Sequence, residues 1–262
     1  SSLLVLSKFL YLASATLTIG HLLLMLFFVR NEEGAIKEEF LYLRNRISRF
    51  AWVWSISTII FILATLASIL DLPFSSAFDV TMLRSFLTQI SLGKSLALQT
   101  IGAFVVALWS SRVRKVSYGA LILALSIVSI SIPVFQSHSA SGGSHLIAIG
   151  TLLIHVIAIT LWIGGISAIV INRKIDLHLV IARYSQLALW AAISVVASGA
   201  INAWIRLHLS NAWKSTYGLL VIEKVILTLG ILAIAGFARR NLATELSKLL
   251  RVEVAAMAVT LF

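Results

Sequence analysis

Long apolar stretches separated by short polar segments run through the whole chain. Seven of these stretches are long enough to cross a bilayer as helices, which takes roughly 20 apolar residues each, and an eighth begins near Leu249 and is cut short. The seven complete spans cover, within a residue or two, 4–29, 50–70, 94–111, 117–135, 145–171, 179–207 and 217–238. The pattern predicts an all-α, polytopic transmembrane helix bundle of about eight spans.

Two of the connecting segments carry patterns of their own. Residues 30–49 mix glutamate with lysine and arginine, which predicts a short amphipathic helix at the membrane interface. The segment from Phe78 to Leu92 is predicted to lie along the surface before the third span. No composition shift divides the chain, so residues 1–262 are predicted to form a single transmembrane domain.

Composition supports the membrane assignment. The chain is 60% hydrophobic and only 12% charged, with a mean hydropathy of +1.00, more apolar surface than a soluble domain of this length needs. It contains no cysteine, which excludes disulfides, thiolate ligands and a cysteine nucleophile. It starts without methionine and stops inside an apolar segment, as expected for a fragment of a longer protein.

The basic residues predict an orientation. The loops after spans one, three, five and seven hold 15 of the 21 lysines and arginines, whereas the loop at 136–145 holds none. By the positive-inside rule the N-terminus and that loop face outward. The net charge of +11 is thus a feature of topology, and nucleic-acid binding has no support. No hydrolase, P-loop or dinucleotide motif occurs, so the chain is not predicted to be an enzyme.

Five residues form the candidate metal site. His138 and His145 flank a Ser/Gly-rich loop on the predicted outer face, and His155 follows about 15 Å further along the next span. His21 and Met25 lie one helical turn apart in the first span. Imidazole suits copper, zinc and iron, and a thioether adds a soft ligand for Cu(I). Intramembrane ionisable groups are costly, which favours a functional role.

Structural roles remain open for each candidate. A loop histidine can simply be solvated, as His178 and His208 are expected to be. His155 can serve as an interhelical hydrogen-bond donor, and His21 with Met25 can fill the core. Ser198, Asn202 and Arg206 are spaced four apart and are predicted to line the interior side of one helix, as structural contacts or as part of a polar path.

Several motifs in the second half of the chain resemble one family. They are SHSA at 137–140, HVIAITLWIGG at 155–165, ARYSQLAL at 182–189, SGAINAW at 198–204 and STYGLLVIEK at 215–224. As a set they resemble the copper resistance protein D (CopD) family of the bacterial inner membrane. The resemblance implies copper movement across the cytoplasmic membrane alongside a periplasmic copper-binding protein. It implies metal handling for His138 and His155, and less directly for His145. In some relatives the domain is fused to one resembling a cytochrome oxidase assembly factor.

The prediction is therefore a copper transporter or copper-delivery protein whose histidine site opens to the outer face, with the copper ion and the lipid bilayer as its partners. One alternative is a b-type haem protein for electron transfer, with iron held by His21 and His155. Another is an assembly factor that hands copper to a terminal oxidase without transporting it.

Overall fold

The structure, a computed structural model, describes residues 2–29, 31–32, 34–136, 145–172, 175, 177–207 and 216–240. Across these ranges the chain is almost entirely helical, and its only extended pairings are two isolated bridges. It divides into two compact units, Ser1–His145 and Leu146–Phe262. The predicted all-α bundle is confirmed, whereas the predicted single domain stays a prediction.

Eight α-helices make up the described part of the chain. They are α1 (Ser2–Leu23, continued by a π-helical turn, Leu24–Phe28), α2 (Tyr42–Ile69), α3 (Val80–Gln89), α4 (Ser91–Ser110), α5 (Val116–Ser131), α6 (His145–Ile171), α7 (Leu177–Leu207) and α8 (Thr216–Arg240).

Six spans in these ranges are long and apolar enough to cross a membrane. They are Ser2–Phe28, Glu38–Ile69, Ser91–Ser110, Val116–Gln136, Ile147–Ile171 and Val180–Trp204. The predicted seventh span corresponds to the 25-residue helix α8, and the predicted eighth lies outside the described residues. The protein is a multi-pass membrane protein.

The predicted interfacial helix in residues 30–49 is wrong. α2 begins at Tyr42, so the arginines at 44, 46 and 49 occupy the first turns of the spanning helix itself. Only a single 3-10 turn, Glu38–Phe40, precedes it. No glycine or proline interrupts residues 42–50, and Leu43 and Ile47 are fully buried, so helix and packing continue through the charged stretch.

The first unit packs its helices as antiparallel neighbours. On α1 and α2 the rings of Tyr11 and Phe61 lie 5.1 Å apart, and those of His21 and Phe50 lie 4.9 Å apart. On α2 and α4, the Ser48 hydroxyl donates to the Ala107 carbonyl oxygen at 2.6 Å. These pairs fix the register of α1, α2 and α4 along the unit.

One end of this unit is clasped through the backbone. The Ile36 N–H donates to the Arg114 carbonyl at 2.9 Å, and the Val116 N–H donates to the Gly34 carbonyl at 2.8 Å. Gly34 turns the chain with a φ of 77°, a conformation that disfavours side chains. These bonds join the α1–α2 connection to the α4–α5 connection. We call this end, formed by residues 31–49 and 111–116, the basic end, because its sequence holds seven lysines and arginines and four glutamates.

A close contact between two helices of the unit joins α4 to α5 at Gly102. A Cβ atom at Gly102 would lie 1.9 Å from the Ser129 Oγ and 2.9 Å from the Ser129 Cβ. Any side chain at this position must push the two helices apart. Small residues of this kind allow the close packing on which membrane helices depend.

We predict that Gly102→Ala lowers the stability of the detergent-solubilised protein by about 1–3 kcal/mol, because it overpacks this contact. Thermal unfolding measures the loss. Gly150→Ala is the matched control: a Cβ there has no neighbour within 4 Å, so the melting temperature should hold or rise slightly. Equal melting temperatures for Gly102→Ala and the parent would contradict the packing.

Candidate metal centre

In the second unit, α6 and α7 are joined by two polar contacts. His155 Nδ1 lies 3.1 Å from Ser198 Oγ, and the Thr151 hydroxyl donates to Asn202 Oδ1 at 3.0 Å. The two contacts are four residues apart on both helices, as expected for antiparallel neighbours. Ser198 and Asn202 therefore face α6, in agreement with their predicted position on one side of the helix.

The Ser198 hydroxyl determines which nitrogen of His155 carries the proton. Ser198 Oγ donates its only proton to the Ser194 carbonyl oxygen at 2.5 Å, so towards the imidazole it can only accept. The imidazole also forms a backbone hydrogen bond with Val195, and Nδ1 is assigned as the nitrogen that carries the proton and donates to Ser198. In the neutral ring this leaves Nε2 with a free lone pair, the form in which histidine binds metals.

The surroundings of His155 combine close packing with a positive charge. The ring lies against Gly199, whose added Cβ would come within 3.6 Å of the His155 Cε1. His155 is half-buried, whereas Ser198 is only 3% exposed. The ammonium group of Lys224 on α8 interacts electrostatically with the imidazole. A fixed positive charge near a site weakens the binding of any cation there.

His145 is the first residue of α6, the helix that carries His155. The ten residues between them form uninterrupted helix, so their Cα atoms are about 15 Å apart along the axis. Between them, one turn from His155, lies the contact between Thr151 and Asn202. His138 and His208 lie outside the described residues. Their part in a site stays a prediction.

In the first unit, His21 and Met25 are both completely buried. His21 Nδ1 lies 2.8 Å from the Leu17 carbonyl oxygen, which can only accept, so Nδ1 carries the proton here as well. The Nε2 atom is buried, and no group in the described chain forms a hydrogen bond with it. Met25 lies in the π-helical turn that ends α1, a type of distortion found frequently at functional sites.

The described residues contain no group of three His, Cys, Asp or Glu side chains that could hold a metal ion. His21 and His155 belong to different compact units. The haem alternative, which pairs these two histidines across one iron, gains no support within the described ranges. From the described residues, a copper ion would have at most two such ligands at either position.

Two features near His155 were missed from the sequence. Thr151 was not singled out, and neither was the contact of Gly199 with the ring. The pattern that could have found Thr151 is its spacing of four from His155, which mirrors the spacing of Ser198 and Asn202 on the next span. Matched polar pairs on consecutive antiparallel helices are expected to meet.

Comparison with known families gives two matches. A model of the copper resistance protein D-like N-terminal domain matches residues 1–146, which is more than half of the 262-residue chain. A model of copper resistance protein D matches residues 178–262. The chain belongs to the copper resistance protein D family. Neither the curated proteins nor the solved structures give a significant match to it.

The resemblance seen in the sequence is thus confirmed, and the protein is a copper-handling membrane protein. Four candidate residues fall in the N-terminal match: His21, Met25, His138 and His145. Ser198 and Lys224 fall in the copper resistance protein D match, whereas His155 lies between the two matched regions. The contact between His155 and Ser198 joins that intervening segment to the second matched region.

We predict that nitrogen-15 NMR of labelled protein shows His155 as the neutral ring protonated at Nδ1. Ser198→Ala removes the acceptor and should mix in the form protonated at Nε2. Thr160→Val is the control, because Thr160 donates to the Val156 carbonyl within α6 and should leave the His155 signals unchanged. A parent ring already protonated at Nε2 would contradict the assignment.

Proposed function

We propose that this protein carries copper ions across the cytoplasmic membrane, or delivers them within it, through histidines reached from the outer face. The observation that carries the proposal is the hydrogen bond between His155 and Ser198, because it leaves the Nε2 lone pair of an intramembrane histidine free. Imidazole is a ligand for copper, and copper handling is the property of the family.

The route begins at His138 and His145. These histidines take up the ion at the outer end of α6, and His155 receives it about 15 Å deeper. Between them, the oxygens of Thr151 and Asn202 replace part of the water that the ion loses on leaving the surface. His21 and Met25 form a second imidazole and thioether position in the first unit, a pair suited to Cu(I).

Weak, separated positions suit a transported ion better than one tight cage does. Conduction requires each position to bind well enough to accept the ion and poorly enough to release it. In the described ranges no three strong ligands converge, and the charge of Lys224 acts on His155. Both features favour release over storage, which supports movement of copper rather than a resident cofactor.

The proposed setting is the bacterial inner membrane, with the N-terminus outside and a periplasmic copper-binding protein as donor. The excess of basic residues in alternate loops supports this orientation. The protein acts as a carrier and not as an enzyme. If the protein instead hands copper to an assembling oxidase, it uses the same uptake site. The two proposals then differ only in where the ion leaves the protein.

We predict that His155→Ala abolishes copper uptake into proteoliposomes while the protein stays folded, because the ion loses its deepest ligand on α6. His178→Ala is the matched control: this histidine lies at the other end of the second unit's helices, on the predicted cytoplasmic side, and uptake should persist. Metal content and the visible spectrum of the same samples complete the test. Unchanged uptake in His155→Ala, or a Soret band lost with His155, would refute the proposal.

We predict a different kinetic effect for the pair at the surface. In the double variant His138→Ala with His145→Ala, uptake should need more copper to reach half its maximal rate, while the maximal rate is largely kept. The reason is that capture at the mouth limits uptake only when copper is scarce. Initial rates over a range of copper concentrations measure this. A lower maximal rate with an unchanged half-saturating concentration would place these residues elsewhere in the route.

A further inference from the structure

The core of the first unit contains buried polar atoms that, apart from His21, the proposed copper route does not use. Trp54 on α2 and Gln99 on α4 are both 0% exposed. The Trp54 indole N–H and both polar atoms of the Gln99 amide are buried, and no residue in the described ranges forms a hydrogen bond with them. The same holds for the Nε2 atom of His21 on α1 and for the hydroxyl of Thr65 on α2.

Groups of this kind rarely remain unpaired. An unpaired buried donor or acceptor costs about 1–3 kcal/mol, and in native proteins the great majority of them bind protein or ordered water. Here three helices contribute donors and acceptors at once: the Trp54 N–H and Gln99 NH₂ donate, whereas Gln99 Oε1 and His21 Nε2 accept. A partner for all of them must both donate and accept, and it must be small. Water has these properties.

The helix register places these groups in a row along the unit. His21 contacts Phe50, and Trp54 follows one turn later on α2, about 6 Å further from the basic end. The ring contact of Trp52 with Phe104 aligns α4 with α2, which sets Gln99 about 4–5 Å beyond Trp54.

The row continues towards the end opposite the basic end. Ser95 lies one turn beyond Gln99 on α4, is 3% exposed, and donates to the Ser91 carbonyl, so its oxygen can accept. On α2, Thr65 lies about one helical turn beyond the level of Ser95, again in the direction away from the basic end. At the basic end, the Asn31 amide donates to the Met25 and Leu26 carbonyls while its Oδ1 is buried without a partner among the described residues. From His21 to Thr65, successive groups are offset by about 4–6 Å along the helix axes, and waters bonded to one group and to the next would complete the row.

We propose that the first unit encloses a chain of internal water that lets protons cross it, separately from the copper route through α6 and α7. Hydrogen-bonded water passes protons from one molecule to the next without moving itself, so the row needs no carboxylate. The Gln99 amide accepts through Oε1 and donates through its NH₂ group, so it holds the waters on either side of it while the proton passes between the waters. His21 is the one residue shared with the proposed copper positions, and the proposal does not depend on copper binding.

Proton flux without copper tests the proposal. The full chain is reconstituted in vesicles with a trapped pH dye, a chelator and valinomycin, and an acid pulse is applied outside. The parent should acidify the interior faster than protein-free vesicles do. Gln99→Leu keeps the volume but breaks the chain and should slow the flux about tenfold, and Trp54→Phe should act in the same direction. Flux no faster than in protein-free vesicles, or equal flux in the parent and Gln99→Leu, would overturn the proposal.

Three controls keep the outcome specific. Thr100→Val should leave the flux unchanged. Thr100 is the chain neighbour of Gln99, and its hydroxyl donates to the Leu96 carbonyl within α4. A loss of flux in this variant would overturn the proposal, since it would show that flux reports only on packing. His155→Ala should keep the proton flux even where copper uptake is lost, which separates this proposal from the copper route. The NMR signal of the Trp54 indole proton is identified as the one missing in Trp54→Phe. In D₂O this proton should exchange completely within minutes. An indole proton protected from exchange would mean a dry core and would refute the water chain.

Discussion

The hydrocarbon core of a bilayer offers no water to polar groups, so a spanning helix must supply their partners itself. Many serine and threonine side chains in the described ranges meet this requirement by donating to the carbonyl four residues earlier. Thr18, Thr58, Ser126, Ser129 and Thr160 all do so. Hydroxyls satisfied in this way leave the helices free to pack closely. Imidazole and amide side chains carry a second polar atom, which one such bond leaves without a partner.

The two histidines within the described spans, His21 and His155, meet this constraint in different ways. His21 gives its Nδ1 proton to a carbonyl of its own helix, whereas His155 gives its proton to a serine on the neighbouring helix. Both arrangements leave Nε2 unprotonated. The second also links α6 to α7, so the state of the imidazole and the packing of the helix pair depend on each other. An ion bound at Nε2 of His155 would act on that helix pair directly.

The sequence predicted the helices well and their contacts poorly. α6 has the predicted ends, His145 and Ile171, because polar residues flank a continuous apolar run there. The predicted start of the second span, at residue 50, was wrong. The charged residues before it are typical of a membrane interface, but no glycine or proline among residues 42–50 interrupts the helix. The faces of His155 and Ser198 follow from periodicity, but their pairing depends on how far one helix slides past the other, which packing decides. For the same reason the sequence did not predict that Gln99 and Trp54 lie in the buried core of the first unit.

The backbone clasp at the basic end has a consequence for movement. Hydrogen bonds between main-chain atoms of residues 34–36 and 114–116 hold two helix hairpins together at one end, whatever side chains occupy those positions. A motion that separates the two hairpins would therefore have its pivot at the clasp, and at the far end it would have to part the apolar cluster of Leu66, Phe86 and Leu96.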